Sequence, residues 1–176
     1  MVESRSAIGK KTQIEQPVSA GRRPRLRLGA LIGSGDRIGA FVLPFVLVGA
    51  ALNIVFTEAF SVGGPPPWLQ AVSAVVLAVG VAVWAWSVLL ILTKVRAGDL
   101  VTTGPYALVK HPLYTSVALL ALPWLGFLLD TWLGALIGIA LYAASWLFAP
   151  AEEADLADRF GPRWDAYCRR VKIPWL

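Results

Sequence analysis

Two stretches of the chain hold side chains that a purely structural apolar segment does not need. Leu100 to Ser116 reads LVTTGPYALVKHPLYTS; it contains the only histidine, His111, with Tyr106, Lys110, Tyr114 and two X-Pro bonds. Ala149 to Leu156 reads APAEEADL and carries the adjacent carboxylates Glu152 and Glu153. An imidazole and a carboxylate can move protons near neutral pH or grip a polar ligand. Phenol faces attract a cation or stack on a flat ring. Each group also has a plainer use. His111-Pro112 can start a helix, the tyrosines can anchor at a membrane interface, and the glutamates can favour a helix N-terminus.

Whether these groups act together depends on the elements that carry them. Of the 176 residues 57% are hydrophobic and 15% charged, against roughly 45–50% and 25% in soluble domains. The expected class is an all-α membrane protein of about four transmembrane helices. The apolar runs are Ile38–Phe56, Trp68–Leu92, Leu113–Leu129 and Trp132–Phe148. Only Asp130 and Thr131 separate the last two, so they should form a tight helical hairpin. Short cytoplasmic C-terminal helices should follow, broken at Gly161-Pro162. Residues 1–36 read as a disordered basic tail, and residues 37–176 as a single membrane-embedded domain. No secretory signal peptide is expected, because the first apolar run begins only near Ile38.

The net charge of +5 sits in that tail: up to Arg37 there are eight basic and three acidic residues. Basic residues ahead of an apolar span read as a topology signal or a contact with anionic lipid, not as a nucleic-acid arm. The outer loops, Thr57–Pro67 and Asp130–Thr131, hold no Lys or Arg. Both termini and the Thr93–Pro112 loop are therefore expected in the cytoplasm, the multi-pass chain lying in membrane lipid. One cysteine, Cys168, allows no disulfide within the chain, and with a single histidine no metal site is expected. GALIG occurs at Gly29–Gly33 and Gly134–Gly138; the second copy gives a helix a small-residue packing face. If the last two spans form a hairpin, the His111 stretch and the glutamate pair meet at one membrane surface. Ionisable groups at that depth are candidates for function.

The order of these elements carries a resemblance. Leu100–Ser116, then a helical hairpin, then EEADLADRFGPRWDAYCRRVKIP (Glu152–Pro174) resembles the isoprenylcysteine carboxyl methyltransferase and phospholipid methyltransferase family of integral membrane enzymes. The likeness runs from Leu100 to the C-terminus. It implies methyl transfer from S-adenosyl-L-methionine, bound at the cytoplasmic face, to a lipophilic, prenylated or lipid acceptor. Carried over by position, it implies cofactor contacts at Leu100, Val101, Tyr106, His111, Pro112, Leu113, Tyr114 and Glu152. His111 and Glu153 are the candidate proton acceptors should the methyl acceptor be an amine or thiol, and a carboxylate acceptor would need neither. Lys110 stands where the family usually has arginine, and Trp164 where tyrosine is usual. Phe148 lies four residues before Glu152, where eukaryotic isoprenylcysteine enzymes hold an arginine linked to the substrate carboxylate. The C-terminal string Gly161–Val171 also resembles NADPH-dependent membrane reductases of the sterol and steroid type. A non-enzymatic membrane protein that binds lipid is the third reading.

Overall fold

Helix formation follows the apolar runs, and the breaks fall at Pro, Gly and Asp. The computed structural model describes residues 35–95 and 98–173, which are helical with no β-strand among them. Helix α1 is Gly35–Val55, α2 is the single turn Thr57–Phe60, and α3 is Pro67–Leu90, extended by a π-helical turn Ile91–Val95. A 3-10 turn at Gly104–Ala107 precedes α4 (Pro112–Thr115), which runs through a π-helical turn, Ser116–Ala121, into α5 (Leu122–Leu128). Helix α6 is Leu133–Phe160 and α7 is Pro162–Cys168. The basic tail expected over residues 1–36 lies almost wholly outside the described residues.

Among the described residues three helices are long and apolar enough to cross a membrane: Arg37–Val55, Pro67–Val95 and Leu133–Phe160. The expected Leu113–Leu129 span is instead a broken helix, Pro112–Leu128, of 17 residues. Its break has local causes. Pro123 has no N–H to return to the preceding turn, and the Thr115 and Ser116 hydroxyls bond back to the carbonyls of His111 and Leu113, at 3.0 and 3.2 Å.

A second expectation needs correcting. Glu152 was placed on a separate short helix, but α6 continues unbroken from the apolar span through Glu152 and Glu153 to Phe160. Pro150 is the sole breaker inside it, and Ala and Glu around it are strong helix formers. The helix ends only at Gly161, with φ 51° and ψ −126°. Among the described residues one short C-terminal helix follows, not two.

Helix α6 is central: 28% of its apolar window is buried, against 11% for α1 and for α3. Ile38 and Val42 of α1 meet Ile137 and Ala144 of α6, with Tyr114, Leu133, Leu141 and Phe148 around them. The α5–α6 hairpin closes through glycines. A Cβ on Gly126 would lie 3.0 Å from the Gly134 backbone, and one on Gly138 would strike the Ala118 carbonyl. Opposite the N-terminal end of α1, the hairpin turn is held by polar contacts. Asp130, at φ 52°, accepts hydrogen bonds from the Ser61 hydroxyl (2.8 Å) and from the N–H groups of Val62 (3.1 Å) and Gly64 (3.0 Å). The Thr131 hydroxyl donates to Asn53 Oδ1 at 2.7 Å, giving the one amide side chain of α1 a partner.

Candidate active site

At the other end of the bundle, the start of α1, the end of α3, the loop into α4, the end of α6 and α7 enclose a cavity of about 500 Å³. That lies within the ~300–1,000 Å³ typical of small-molecule sites. Leu100, Val101, Tyr106, His111, Leu113, Tyr114 and Glu152 all line it. Pro112, also expected there, does not; it is fully buried behind the wall as the first residue of α4. Glu153 is likewise absent from the wall. It stands behind His111, its Oε1 accepting from Lys110 Nζ and lying 3.0 Å from His111 Nε2.

The loop carrying Tyr106 and His111 is pinned on two sides. Gly104 has φ +64°, and a Cβ there would come within 3.1 Å of the Trp86 ring of α3. Glycine is therefore required by both conformation and space. From the opposite side, the Tyr167 hydroxyl of α7 donates to the Tyr106 carbonyl at 2.9 Å, and the Ile173 N–H donates to the Leu108 carbonyl at 2.9 Å. Trp164, Tyr167 and Val171 form a second small core with Leu100, Leu156 and Phe160. The His111 carbonyl accepts from the N–H groups of Tyr114 and Thr115, so the histidine backbone is fixed as the cap of α4.

Burial pushes the Tyr106 hydroxyl well above the usual phenol range, and the Glu152 charge adds to the effect. Burial raises Tyr167 in the same direction. Both phenols therefore stay protonated and can donate. A ring of charge surrounds the aromatic wall: Arg37, Lys110 and Arg159 against Asp99, Glu152 and Asp155. Arg159 lies over the Phe160 ring, 5.3 Å from its centre. Arg163 and Asp99 approach to 3.8 Å on the exposed rim, where such a pair contributes little. Among the described residues no cluster of His, Cys, Asp or Glu could hold a metal ion.

Sequence reasoning missed Arg37, Asp155, Arg159 and Trp164 as wall residues. For two of them a signal existed. Glu152, Asp155, Leu156 and Arg159 follow the three- and four-residue steps of one helix face, visible once α6 is carried through to Phe160. Arg37 had no such signal beyond its place just ahead of the first span. Phe148 is packed into the interface with α1, its ring 6.0 Å from that of Phe41, and takes no part in the cavity.

The chain is thus a helical membrane protein in which carboxylates, phenols and an imidazole line one cavity. Residues 68–158 match the isoprenylcysteine carboxyl methyltransferase (ICMT) family, which is just over half of the chain, and the chain belongs to that family. The matched stretch takes in α3, outside the likeness read from the sequence, and ends before α7. No curated protein and no solved structure matches the chain.

Proposed function

We propose that this protein is an S-adenosylmethionine-dependent methyltransferase acting on a lipophilic acceptor at the cytoplasmic face of a membrane. The observation that carries the reading is one cavity lined both by the loop from Leu100 to Tyr114 and by Glu152 of α6. Its residues suit that cofactor. Glu152 and Asp155 can accept hydrogen bonds from amino and ribose groups, Tyr106, Tyr114 and Trp164 offer faces to an adenine or a sulfonium, and Arg37 or Arg159 can meet a carboxylate. When bound, the cofactor supplies a methyl group on a positively charged sulfur. Leu100, Val101 and Leu113 would keep water from the reacting centre, and the pinned loop would hold the cofactor's site rigid, since displacement at a methyl carbon needs positioning and desolvation most.

The cytoplasmic placement rests on charge. Arg37, Lys110, Arg159 and Arg163 lie at the cavity end, while the Asp130 end carries no Lys or Arg in its loops. Pro112–Leu128 then makes the fourth crossing, its short length offset by its seat between α3 and α6.

The test is a thermal shift of the detergent-purified protein with S-adenosylmethionine, S-adenosylhomocysteine or NADPH. Stabilisation by the homocysteine product without response to NADPH is expected. The opposite pattern would select the reductase reading, and no shift with any ligand would leave a lipid-binding protein without this chemistry.

A further inference from the structure

Outside the cavity, the end of α7 carries a concentration of charge that the site does not use. From Gly161 to Lys172 the chain has four basic residues, Arg163, Arg169, Arg170 and Lys172, against Asp165 alone. Trp164, Tyr167 and Val171 turn inward to the small core beneath the Tyr106 loop, and Arg169, Arg170 and Lys172 are left exposed. Among the described residues the ion pairs are those of Lys110 and His111 with Glu153 and of Arg163 with Asp99; none takes these three cations. Around Cys168 the carboxylates are Glu153, already engaged by the loop, and Asp165. Positive charge just after a helix favours its C-terminus, which gives Arg169 and Arg170 a local use but not Lys172.

The fold gives this charge a neighbour. The Ile173 N–H donates to the Leu108 carbonyl at 2.9 Å and Ile173 pairs with Val109, so the chain after α7 returns to the loop ahead of α4. Val109 lies three residues before Pro112, where the fourth crossing begins. Three residues span at most about 11 Å, close to a Debye length of about 8–10 Å at ordinary salt. The three cations are therefore placed to feel the surface potential of the adjoining leaflet. Leu108, apolar and 49% exposed, stands beside Ile173 and suits the headgroup boundary.

We propose that Arg169, Arg170 and Lys172 form a docking surface for the phosphate head of an anionic phospholipid in the cytoplasmic leaflet, and that the bound lipid clamps α7 and Ile173 onto the Tyr106 loop. Arginine meets a phosphate with parallel N–H donors, and lysine meets it as a point charge. A zwitterionic head carries the same phosphate beside its own ammonium, so net charge makes the selection. The clamp follows from connectivity. The segment that bears the cations also makes the Tyr167–Tyr106 and Ile173–Leu108 bonds, and its Trp164 and Tyr167 line the cavity. Whatever holds that segment to the bilayer steadies one wall of the site. The inference rests on the cytoplasmic placement of the cavity end and not on the methyl-transfer chemistry.

The test adds dioctanoyl phosphatidylglycerol to the full chain in an uncharged detergent, with dioctanoyl phosphatidylcholine and inorganic phosphate as separate arms and no cavity ligand present. Hydrogen exchange at the Ile173 amide is the local readout. Phosphatidylglycerol should slow it saturably, and less so in high salt, while the other two arms leave it unchanged. Replacing Arg169, Arg170 and Lys172 together by glutamine should weaken the lipid's apparent affinity about a hundredfold, at about fivefold per cation. Arg170→Gln alone should weaken it about fivefold, which keeps the test open should the triple variant fold poorly. Glutamine at Arg22, Arg23, Arg25 and Arg27 should leave the protection of Ile173 as it is. Equal protection by phosphatidylcholine or by inorganic phosphate, an unchanged affinity in both α7 variants, or loss of protection on neutralising the N-terminal arginines instead would each overturn the proposal. A C-terminal tag exposed on the outside of intact cells would overturn the leaflet assigned here. Failure of S-adenosylhomocysteine to stabilise the protein would end the methyltransferase reading and leave the lipid result standing.

Discussion

The two ends of the bundle use carboxylates in opposite ways. At the hairpin turn, Asp130 is satisfied by its own surroundings: a hydroxyl and two backbone N–H groups of the Ser61–Gly64 loop occupy both of its oxygens. At the cavity, Glu153 takes two side chains from the loop ahead of α4, and Glu152, one residue away, lines the cavity wall. A carboxylate closed off by backbone donors fixes the shape of a turn. One set among side chains at the edge of a cavity can hold a ligand or set the state of a neighbour. The comparison separates residues that make the scaffold from residues that use it.

Exchanging the two roles by mutation is the strongest way to break that comparison. Glu152→Ala should weaken S-adenosylhomocysteine binding about 10- to 150-fold, the equivalent of losing a charged hydrogen bond, with a smaller loss of melting temperature in the ligand-free protein than Asp130→Ala causes. Asp130→Ala should do the reverse, lowering the melting temperature while leaving the affinity within about twofold. Calorimetric titration and a melting curve on each variant decide it; a loss of affinity in Asp130→Ala would merge the two ends into one unit.

Gly104→Ala comes next. A left-handed conformation costs a side-chain-bearing residue about 1–2 kcal/mol, and the Cβ also meets Trp86. The expected result is a comparable loss of stability by denaturant titration together with weaker ligand binding, because the loop carrying Tyr106 must shift. Smaller still is Tyr167→Phe, which removes one hydrogen bond worth about 0.5–1.5 kcal/mol and should increase hydrogen exchange at Leu108 and Val109 without altering the hairpin turn.

The smallest effect is one of pH. The Ser61 hydroxyl bond, then the Gly64 N–H, hold Asp130 below its ordinary value of 3.8. A carboxyl lowered on folding stabilises fully above its unfolded value and loses that contribution as pH falls through the folded one. Between about pH 5 and about pH 3 the wild type should therefore lose more melting temperature than Asp130→Ala does. Equal losses would show that the turn carboxylate makes no ionisation-dependent contribution.

Much of this was legible before any coordinates. Uncharged runs announced the long helices, and the short Asp130–Thr131 link announced the hairpin, because charge and length decide both. Of the eight positions that the resemblance implies, seven line the cavity. Pro112 does not line it, because sharing a motif with wall residues is not the same as facing the cavity, and a helix's first residue can point into the wall. The continuity of α6 past Pro150 was hidden by composition. Acidic residues end a membrane span without ending the helix, and the change in polarity was read as a break. The Ser116–Ala121 π turn was equally hidden, since it depends on how Pro123 and two hydroxyls share out backbone bonds. Arg37 needed tertiary structure, because nothing local says which way the start of α1 points.

The bond from Tyr167 to the Tyr106 carbonyl joins residues 61 positions apart, and this has a consequence for biosynthesis. A chain emerging from the ribosome presents the Tyr106 loop long before α7 and Ile173 exist to hold it. The helices can enter the bilayer and the hairpin can close during translation, while the cavity wall is completed only once α7 has been made. A chain cut short of α7 should insert normally and leave the Tyr106 loop unpinned.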